Sequence, residues 1–447
     1  MKKFGITLLC AFVAVVSVLF SYYMTKATDT NRELSVETVY AMAQNAGYKG
    51  SLVDFINEFK GAVGNEGRGI ASAEINSDGH LIITYTDMTS VDAGVVNADT
   101  LNVSDNISGL ALNYALTSSV SISCRTDDEK TVSGSGVIYS INKADGDAYI
   151  ITNYHVLYNG TTGLRFDNSS ISVYLYGMEY PYYAMPCEYV GGSVNYDIAV
   201  LKISDSNVIK NSSARATILG DSELVSVADS VIAIGNPGGN GISVTSGNVN
   251  VESENKYVDT GASGGSVFMR VMRIDAAVNK GNSGGGLYDS QGRLIGIIIA
   301  KNSNDGIDNI AYAIPINVVS AVVDNILYFC DGAPSENGYV IRMGLGLEIK
   351  SVRIEFDEAN GRTVKREEVA VKSVESGSYA ERAGLCVGDI IKSVSVDGKA
   401  YNVTRVHQTP EAMLTVRAGS SIVYNVQRLG EELSITMVAP SELVPLQ

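Results

Sequence analysis

The chain has 447 residues, enough for about three domains. Its net charge of −16 speaks against nucleic-acid backbone binding, which needs clustered Lys and Arg, and its 45% hydrophobic content excludes general disorder. Glycine is plentiful (45) and proline scarce (8), as the tight turns of an all-β fold require, and five cysteines are too few for a disulfide framework.

Lys2 and Lys3 precede an uncharged run over residues 4–24, closed by Tyr22 and Tyr23. At 1.5 Å per residue this run spans about 30 Å, the thickness of a bilayer core. It predicts an uncleaved single-pass membrane anchor over residues 1–26, with everything after Lys26 outside the cytoplasm. Removal as a signal peptide, giving a secreted chain, is the alternative. Residues 27–34 are polar and read as a tether. Helical spacing follows: Val39, Met42, Ala43 and Ala46, then Leu52, Phe55, Ile56 and Phe59. Two alternating runs, 71–75 and 81–86, flank Ser77-Asp78-Gly79 as a hairpin. Residues 35–95 are thus expected to form a small α+β accessory module. No chemistry attaches to it, and an adhesive or surface-binding role is one reading. Residues 96–111, rich in Asn, Asp and Ser, read as a linker.

From 112 to about 330 short β-type runs recur at 119–125, 136–141, 149–152, 172–176, 198–203, 230–234, 247–251, 267–274 and 294–299. Gly, Asn, Asp and Ser turns separate them, and no long amphipathic helix is expected between them. That pattern predicts β-barrels or sandwiches rather than βαβ units. A second linker is expected over 331–338. The last unit, 339–440, mixes strands with at least one short helix, and its runs 352–356 and 364–371 flank Asn360-Gly361 as a long hairpin.

Gly281-Asn282-Ser283-Gly284-Gly285 sets a serine among glycines. An attacking hydroxyl needs a tight turn and backbone N–H groups aimed at the developing oxyanion, and glycines serve both. Gly261-Ala262-Ser263-Gly264-Gly265 fits the same pattern but lies in a Gly/Ser-rich loop and reads as a decoy. A serine also needs a base and an orienting carboxylate. Of three histidines, His155 sits where an apolar run breaks into a turn, and Asp197 opens the apolar run 198–203. The order His155, Asp197, Ser283, with separations of 42 and 86 residues, is the trypsin-like order and neither the subtilisin nor the α/β-hydrolase order.

With these residues assembled, the chain resembles the HtrA/Deg family of trypsin-like serine proteases over about 112–440. The resemblance is carried by Gly134-Ser135-Gly136-Val137-Ile138, Thr152-Asn153-Tyr154-His155-Val156, Asp197-Ile198-Ala199-Val200-Leu201-Lys202, Leu219-Gly220-Asp221-Ser222, Ala233-Ile234-Gly235-Asn236-Pro237, Asp275-Ala276-Ala277-Val278-Asn279 leading into the Ser283 turn, and Asn309-Ile310-Ala311-Tyr312-Ala313-Ile314-Pro315. It implies a mainly β chain whose protease domain, 112–330, is a double β-barrel of two six-stranded antiparallel barrels. It implies Ser283 as nucleophile, His155 as base, Asp197 as orienter and an oxyanion hole from Gly281 and Ser283. Ala277 would floor the substrate pocket, favouring cleavage after small or medium aliphatic residues. Lys280 departs from the family's usual proline, a change that would suit a resting oxyanion loop reordered by substrate.

Residues 339–440 resemble an α+β PDZ domain, through Ser378-Tyr379-Ala380-Glu381-Arg382-Ala383-Gly384-Leu385 and through Gly344, Leu345, Gly346 and Leu347 as a carboxylate-binding loop. The resemblance implies polypeptide substrates, peptide C-termini as PDZ partners and assembly as a homotrimer. It implies no cofactor, and no His-Cys or carboxylate cluster at ligand spacing points to a metal. Cys124, Cys187, Cys330 and Cys386 allow three disulfide pairings. The leading expectation is a membrane-tethered, extracytoplasmic serine endopeptidase acting on unfolded or exposed polypeptides in protein quality control. A catalytically silent, peptide-binding scaffold is the alternative.

Overall fold

The computed structural model describes residues 70–75, 80–85, 90–95 and 109–443, except 127, 161, 180, 260–265, 300–309, 331–339, 360–361 and 442. The expected anchor at 1–26, the helices expected within 36–60 and the linker expected over 331–338 lie outside the described residues. Among the described residues no helix is long and apolar enough to cross a membrane. The chain divides into two compact units, Met1–Asp105 and Asn106–Gln447.

In the first unit, β1 (Ile70–Ile75), β2 (His80–Tyr85) and β3 (Ser90–Val95) form a three-stranded antiparallel sheet in chain order. The first two match the expected hairpin. The third is unexpected, because Asp92 and Gly94 dilute its alternation.

The second unit opens with a helix, α1 (Gly109–Thr117), that overlaps the end of the expected linker. Its first sheet is built from β4 (Ser119–Arg125), β5 (Thr131–Asn142), β6 (Asp147–Thr152), β7 (Ile171–Leu175), β8 (Met185–Pro186), β9 (Glu188–Ser193) and β10 (Ile198–Ile203). The order is β8-β7-β4-β5-β6-β10-β9, seven strands rather than a closed ladder of six. Its edge strands β8 and β9 are separated in the chain only by Cys187, so the sheet must curl until its edges meet.

The continuous apolar run of β10 is explained by burial on both faces. Ala199, Leu201 and Ile203 enter the interior of the first sheet beside Ile122, Ile138 and Ile150. Ile198 and Val200 point the other way, into the core shared with the second half.

That second half comprises β11 (Ser230–Gly235), β12 (Ser243–Asp259), β13 (Ser266–Ile274), β14 (Gly286–Tyr288), β15 (Leu294–Ile299) and β16 (Ala311–Pro315), closed as a barrel in the order β11-β12-β13-β16-β15-β14. A helix, α2 (Ile316–Phe329), follows. It lies beyond the last expected run, 294–299, so among the described residues no long helix separates those runs, and α2 is an element that the pattern did not mark. Val and Ile read locally as strand, yet Val318, Val319, Val322, Val323 and Ile326 recur at helical spacing and are fully or almost fully buried. At about 1.5–3 kcal/mol per buried side chain, tertiary packing outweighs the strand preference.

The C-terminal sheet runs β17 (Leu347–Ala359), β18 (Arg362–Val374), β19 (Ile390–Val396), β21 (Ser421–Arg428), β22 (Glu431–Val438), with β20 (Lys399–Asn402) paired to β19. Short helices α3 (Tyr379–Ala383) and α4 (Gln408–Ala412) accompany it. The expected long hairpin is β17–β18, and β17 keeps one edge unpaired by any strand among the described residues.

This sheet is joined to the part of the chain that precedes it by specific contacts. Asn325 of α2 donates to the carbonyls of Ile341 and Leu414, both at 2.7 Å, and accepts from the Ile341 amide at 2.8 Å. Arg270 of β13 donates to both Glu411 oxygens at 2.9 Å and to Glu223 at 2.6 Å. Glu223 also accepts from Gln408 at 2.9 Å. His407 Nε2 lies 3.5 Å from Glu223. The donor atoms of Glu223, His407 and Glu411 fall within 4.8 Å of one another, a grouping that sequence spacing concealed. The Arg270 guanidinium already supplies the cation there. Burial alone would raise the Glu223 carboxyl, but His407 and Arg270 outweigh it and hold it well below the usual range. Glu411 is pushed up by deeper burial, against the pull of Arg270.

Candidate active site

Strand pairing brings His155 and Asp197 together. β6 and β10 are antiparallel, with Thr152 opposite Ala199, so the chain leaving β6 passes the residues that enter β10. His155 lies in the 3-10 turn Tyr154–Leu157 that follows β6, and Asp197 immediately precedes β10. His155 Nδ1 is 2.8 Å from Asp197 Oδ2. The His155 backbone N–H donates to Asp197 Oδ1 at 3.0 Å, so both carboxylate oxygens are engaged by one residue. Asn153 donates from its side chain to the Asp197 carbonyl at 2.9 Å. Asp197 itself adopts φ 49°, a left-handed conformation that Asp tolerates better than most residues. Its side chain is 1% exposed and that of His155 is 17% exposed, leaving only the imidazole with access to solvent.

Ser283 sits in the turn that enters β14, across the seam between the two halves. Its carbonyl accepts from the Ser135 amide of β5 at 2.8 Å, and the Gly284 amide donates to Ile298 at 3.0 Å. Gly284 lies so close to the first sheet that an added Cβ would meet Ser135 O and Thr152 Oγ1 at 2.2 Å and Asn153 N at 3.0 Å. The serine turn is therefore pressed onto the segment that leads into His155. Glycine is required at 284 by this approach and by φ +82°.

The same holds at Gly281, where φ is +99° and a Cβ would meet Asn236 O at 2.2 Å. The Lys280 carbonyl accepts from the Gly238 amide at 2.8 Å. Because the peptide is planar and trans, that bond turns the Gly281 N–H to the opposite side. Lys280 itself is exposed.

The remaining expected positions lie elsewhere. Ala277 is exposed, and its carbonyl accepts from Thr245 Oγ1 at 2.9 Å. Ser263 falls outside the described residues, in the connection between β12 and β13, whose last pair is Asp259 with Ser266. In the C-terminal sheet domain, Gly344 is exposed, Leu345 is buried and Gly346 has φ 67°. The carbonyls of Leu345 and Gly346 accept from the amides of Ala380 and Glu375, at 3.0 and 2.8 Å. Leu347 opens β17. Cys124, Cys187, Cys330 and Cys386 are free thiols, and burial pushes those of Cys124 and Cys187 up to about 12. Sequence reasoning assigned no role to Ser135, Thr152, Asn153 or Asn236, because ordinary polar residues acquire one only through contacts across the seam.

Residues 134–297, which contain His155, Asp197 and Ser283, match the family model of the trypsin-like peptidase domain. The chain carries a trypsin-like peptidase domain and is a homologue of the HtrA serine proteases. It is 32% identical over 317 residues to the serine protease Do-like HtrA of Bacillus subtilis, covering 69% of this chain and 64% of that protein. It is 35% identical over 272 residues to Do-like HtrB of the same organism, covering 59% of this chain and 53% of that protein. A DegP-like periplasmic serine endoprotease of Bartonella henselae is 31% identical over 304 residues, covering 68% of this chain and 52% of that protein. The chain thus spans between about half and two thirds of the length of these relatives. Among solved structures, the HtrA-type protease AlgW with tripeptide is 28% identical, with TM-score 0.49, covering 75% of this chain and 97% of that one.

Proposed function

We propose that this chain is a serine endopeptidase in which Ser283 attacks the peptide carbonyl. His155 accepts the hydroxyl proton and returns it to the leaving amine. Asp197 holds the imidazole with its Nδ1–H inward, so that Nε2 is the acceptor, and stabilises the imidazolium that forms. The amides of Gly281 and Ser283 would receive the developing oxyanion. The observation that carries this reading is the pairing of His155 with both oxygens of Asp197 beneath a serine turn pinned to the same strand ends. The Lys280 carbonyl, held by the Gly238 amide, supports a formed oxyanion loop over the resting one that the Lys280 substitution suggested.

On the same reading, the small side chain of Ala277 leaves room for small or medium aliphatic residues before the scissile bond. The C-terminal domain acts as a PDZ domain that takes peptide C-termini by strand addition at the unpaired edge of β17, next to the 344–347 loop. The apolar run at 4–24 tethers the chain, with its catalytic unit outside the cytoplasm, as the periplasmic description of the Bartonella henselae relative also suggests. Substrates are unfolded or exposed polypeptides, and the assembly is a homotrimer.

The test is covalent labelling by a fluorophosphonate followed by casein digestion, in the wild-type chain and in Ser283→Ala and Ser263→Ala. Ser283→Ala is expected to lose all labelling and on the order of 10⁶ in kcat. Ser263→Ala is expected to retain both. Silencing by Ser263→Ala instead, or an unlabelled wild type, would overturn the assignment.

A further inference from the structure

Ser135 of β5 is 1% exposed and touches the serine turn from the opposite half of the molecule. Its amide donates to the Ser283 carbonyl at 2.8 Å. Its hydroxyl donates to the Gly281 carbonyl at 2.7 Å and accepts from the Asn236 amide at 2.8 Å. Its carbonyl accepts from Thr152 Oγ1 at 2.7 Å, three residues before His155. One residue therefore links the segment carrying His155, the turn carrying Ser283 and the end of β11.

We infer that the Ser135 hydroxyl is a positioning residue that fixes the orientation of the oxyanion-binding peptide at Gly281. The inference rests on the peptidase reading above. Gly281 has no Cβ to resist rotation of the peptides on either side of it, so their orientation depends on hydrogen bonds. The peptide before it is held by Gly238 N–H on the Lys280 carbonyl. The peptide after it is held at both ends, by the Ser135 hydroxyl on the Gly281 carbonyl and by Asn282 N–H on the Asn279 carbonyl. The Ser135 hydroxyl also takes the amide of Asn236, two residues before Gly238, and so steadies the turn that supplies the other clamp. One clamp on Gly281 is thus made by this oxygen atom, and the turn that supplies the other is anchored to it through Asn236. Without it the Gly281 carbonyl loses its donor and the buried Asn236 amide its acceptor. Rotation of the Lys280–Gly281 peptide then becomes the route of relief, and it would present a carbonyl to the oxyanion where an N–H is needed.

The experiment compares Ser135→Ala with the hydroxyl-retaining Ser135→Thr in the full chain. Active sites are counted by fluorophosphonate labelling, so that any unfolded fraction is removed from kcat, and thermal melts report folding. A fluorogenic peptide gives kcat and KM, and a peptidyl boronic acid reports the hole itself, because its tetrahedral adduct places an oxygen there. Ser135→Ala is expected to lose about 10- to 100-fold in kcat per labelled site, with KM within about twofold, and boronate affinity falling in step. Ser135→Thr is expected to recover most of the loss. Unchanged kcat per labelled site in Ser135→Ala, a loss confined to KM, or equal impairment of both variants would overturn the inference while leaving the peptidase reading intact. A wild-type chain that neither labels nor cleaves would overturn both.

Discussion

Asp197→Asn tests the triad with the least disturbance to the fold. Asn tolerates the left-handed φ of 49° at this position, so the backbone need not move. The geometry then dictates how the new amide orients. Asp197 Oδ1 accepts the His155 backbone N–H at 3.0 Å, and Oδ2 faces His155 Nδ1 at 2.8 Å. If the amide oxygen keeps the backbone N–H, its NH₂ faces the imidazole, which must then accept at Nδ1 and carry its proton on Nε2. That tautomer cannot take a proton from Ser283. The reverse orientation sets NH₂ against a buried N–H, costing about 1–3 kcal/mol, so the competent arrangement is depleted about 5- to 150-fold. Loss of the negative charge beside the forming imidazolium supplies the remainder, for a total of about 10⁴ in kcat, or about 5.5 kcal/mol. The assay is single-turnover cleavage of a fluorogenic peptide, with KM measured in parallel and folding checked by thermal melt. A folded Asp197→Asn that retains more than about one tenth of wild-type kcat would refute the assigned role of this carboxylate.

Gly281→Ala is expected to abolish fluorophosphonate labelling while the C-terminal domain stays folded, because a Cβ there would meet Asn236 O at 2.2 Å and force the serine turn apart. Undiminished labelling would show that the turn tolerates displacement. Glu223→Gln is expected to lower the melting temperature at pH 7. A carboxylate whose folded pKa is depressed contributes stability above its unfolded pKa and loses it as the pH falls toward the folded value, so the gap from wild type should close below about pH 4.5. A gap independent of pH would mean that the contacts with Arg270 and His407 are not its source. Maleimide is expected to modify the exposed Cys386 in the native chain and to spare Cys124 and Cys187, which are buried and raised to about 12, until denaturant is added. Mass mapping of the modified peptides decides it, and prompt modification of Cys124 would contradict its burial.

Much of the candidate site was legible in one dimension because its chemistry restricts residue type. Few histidines compete with His155, and a serine between glycines at 281–285 marks a turn with exposed backbone. Runs such as 198–203 and 294–299 were readable as strands because both faces are buried and polar residues are nearly absent from them. The edge pieces of the first sheet, Met185–Pro186 and Glu188–Ser193, were not legible because edge strands need little hydrophobic alternation.

The sequence alone determined which side chains could act: the acid, the base and the hydroxyl in trypsin-like order, the glycines around them, and an apolar run suited to a membrane. Only the tertiary structure decided the rest. It turned a Val- and Ile-rich stretch into α2, gathered Arg270, Glu223 and Glu411 into one cross-domain cluster, and set Ser135 against Gly281. The physical reason is common to all three. Local propensity and residue type are properties of a short stretch of chain, whereas helix burial, buried charge pairing and a clamped peptide plane depend on partners as many as 185 residues apart, and those partners meet only when the sheets close.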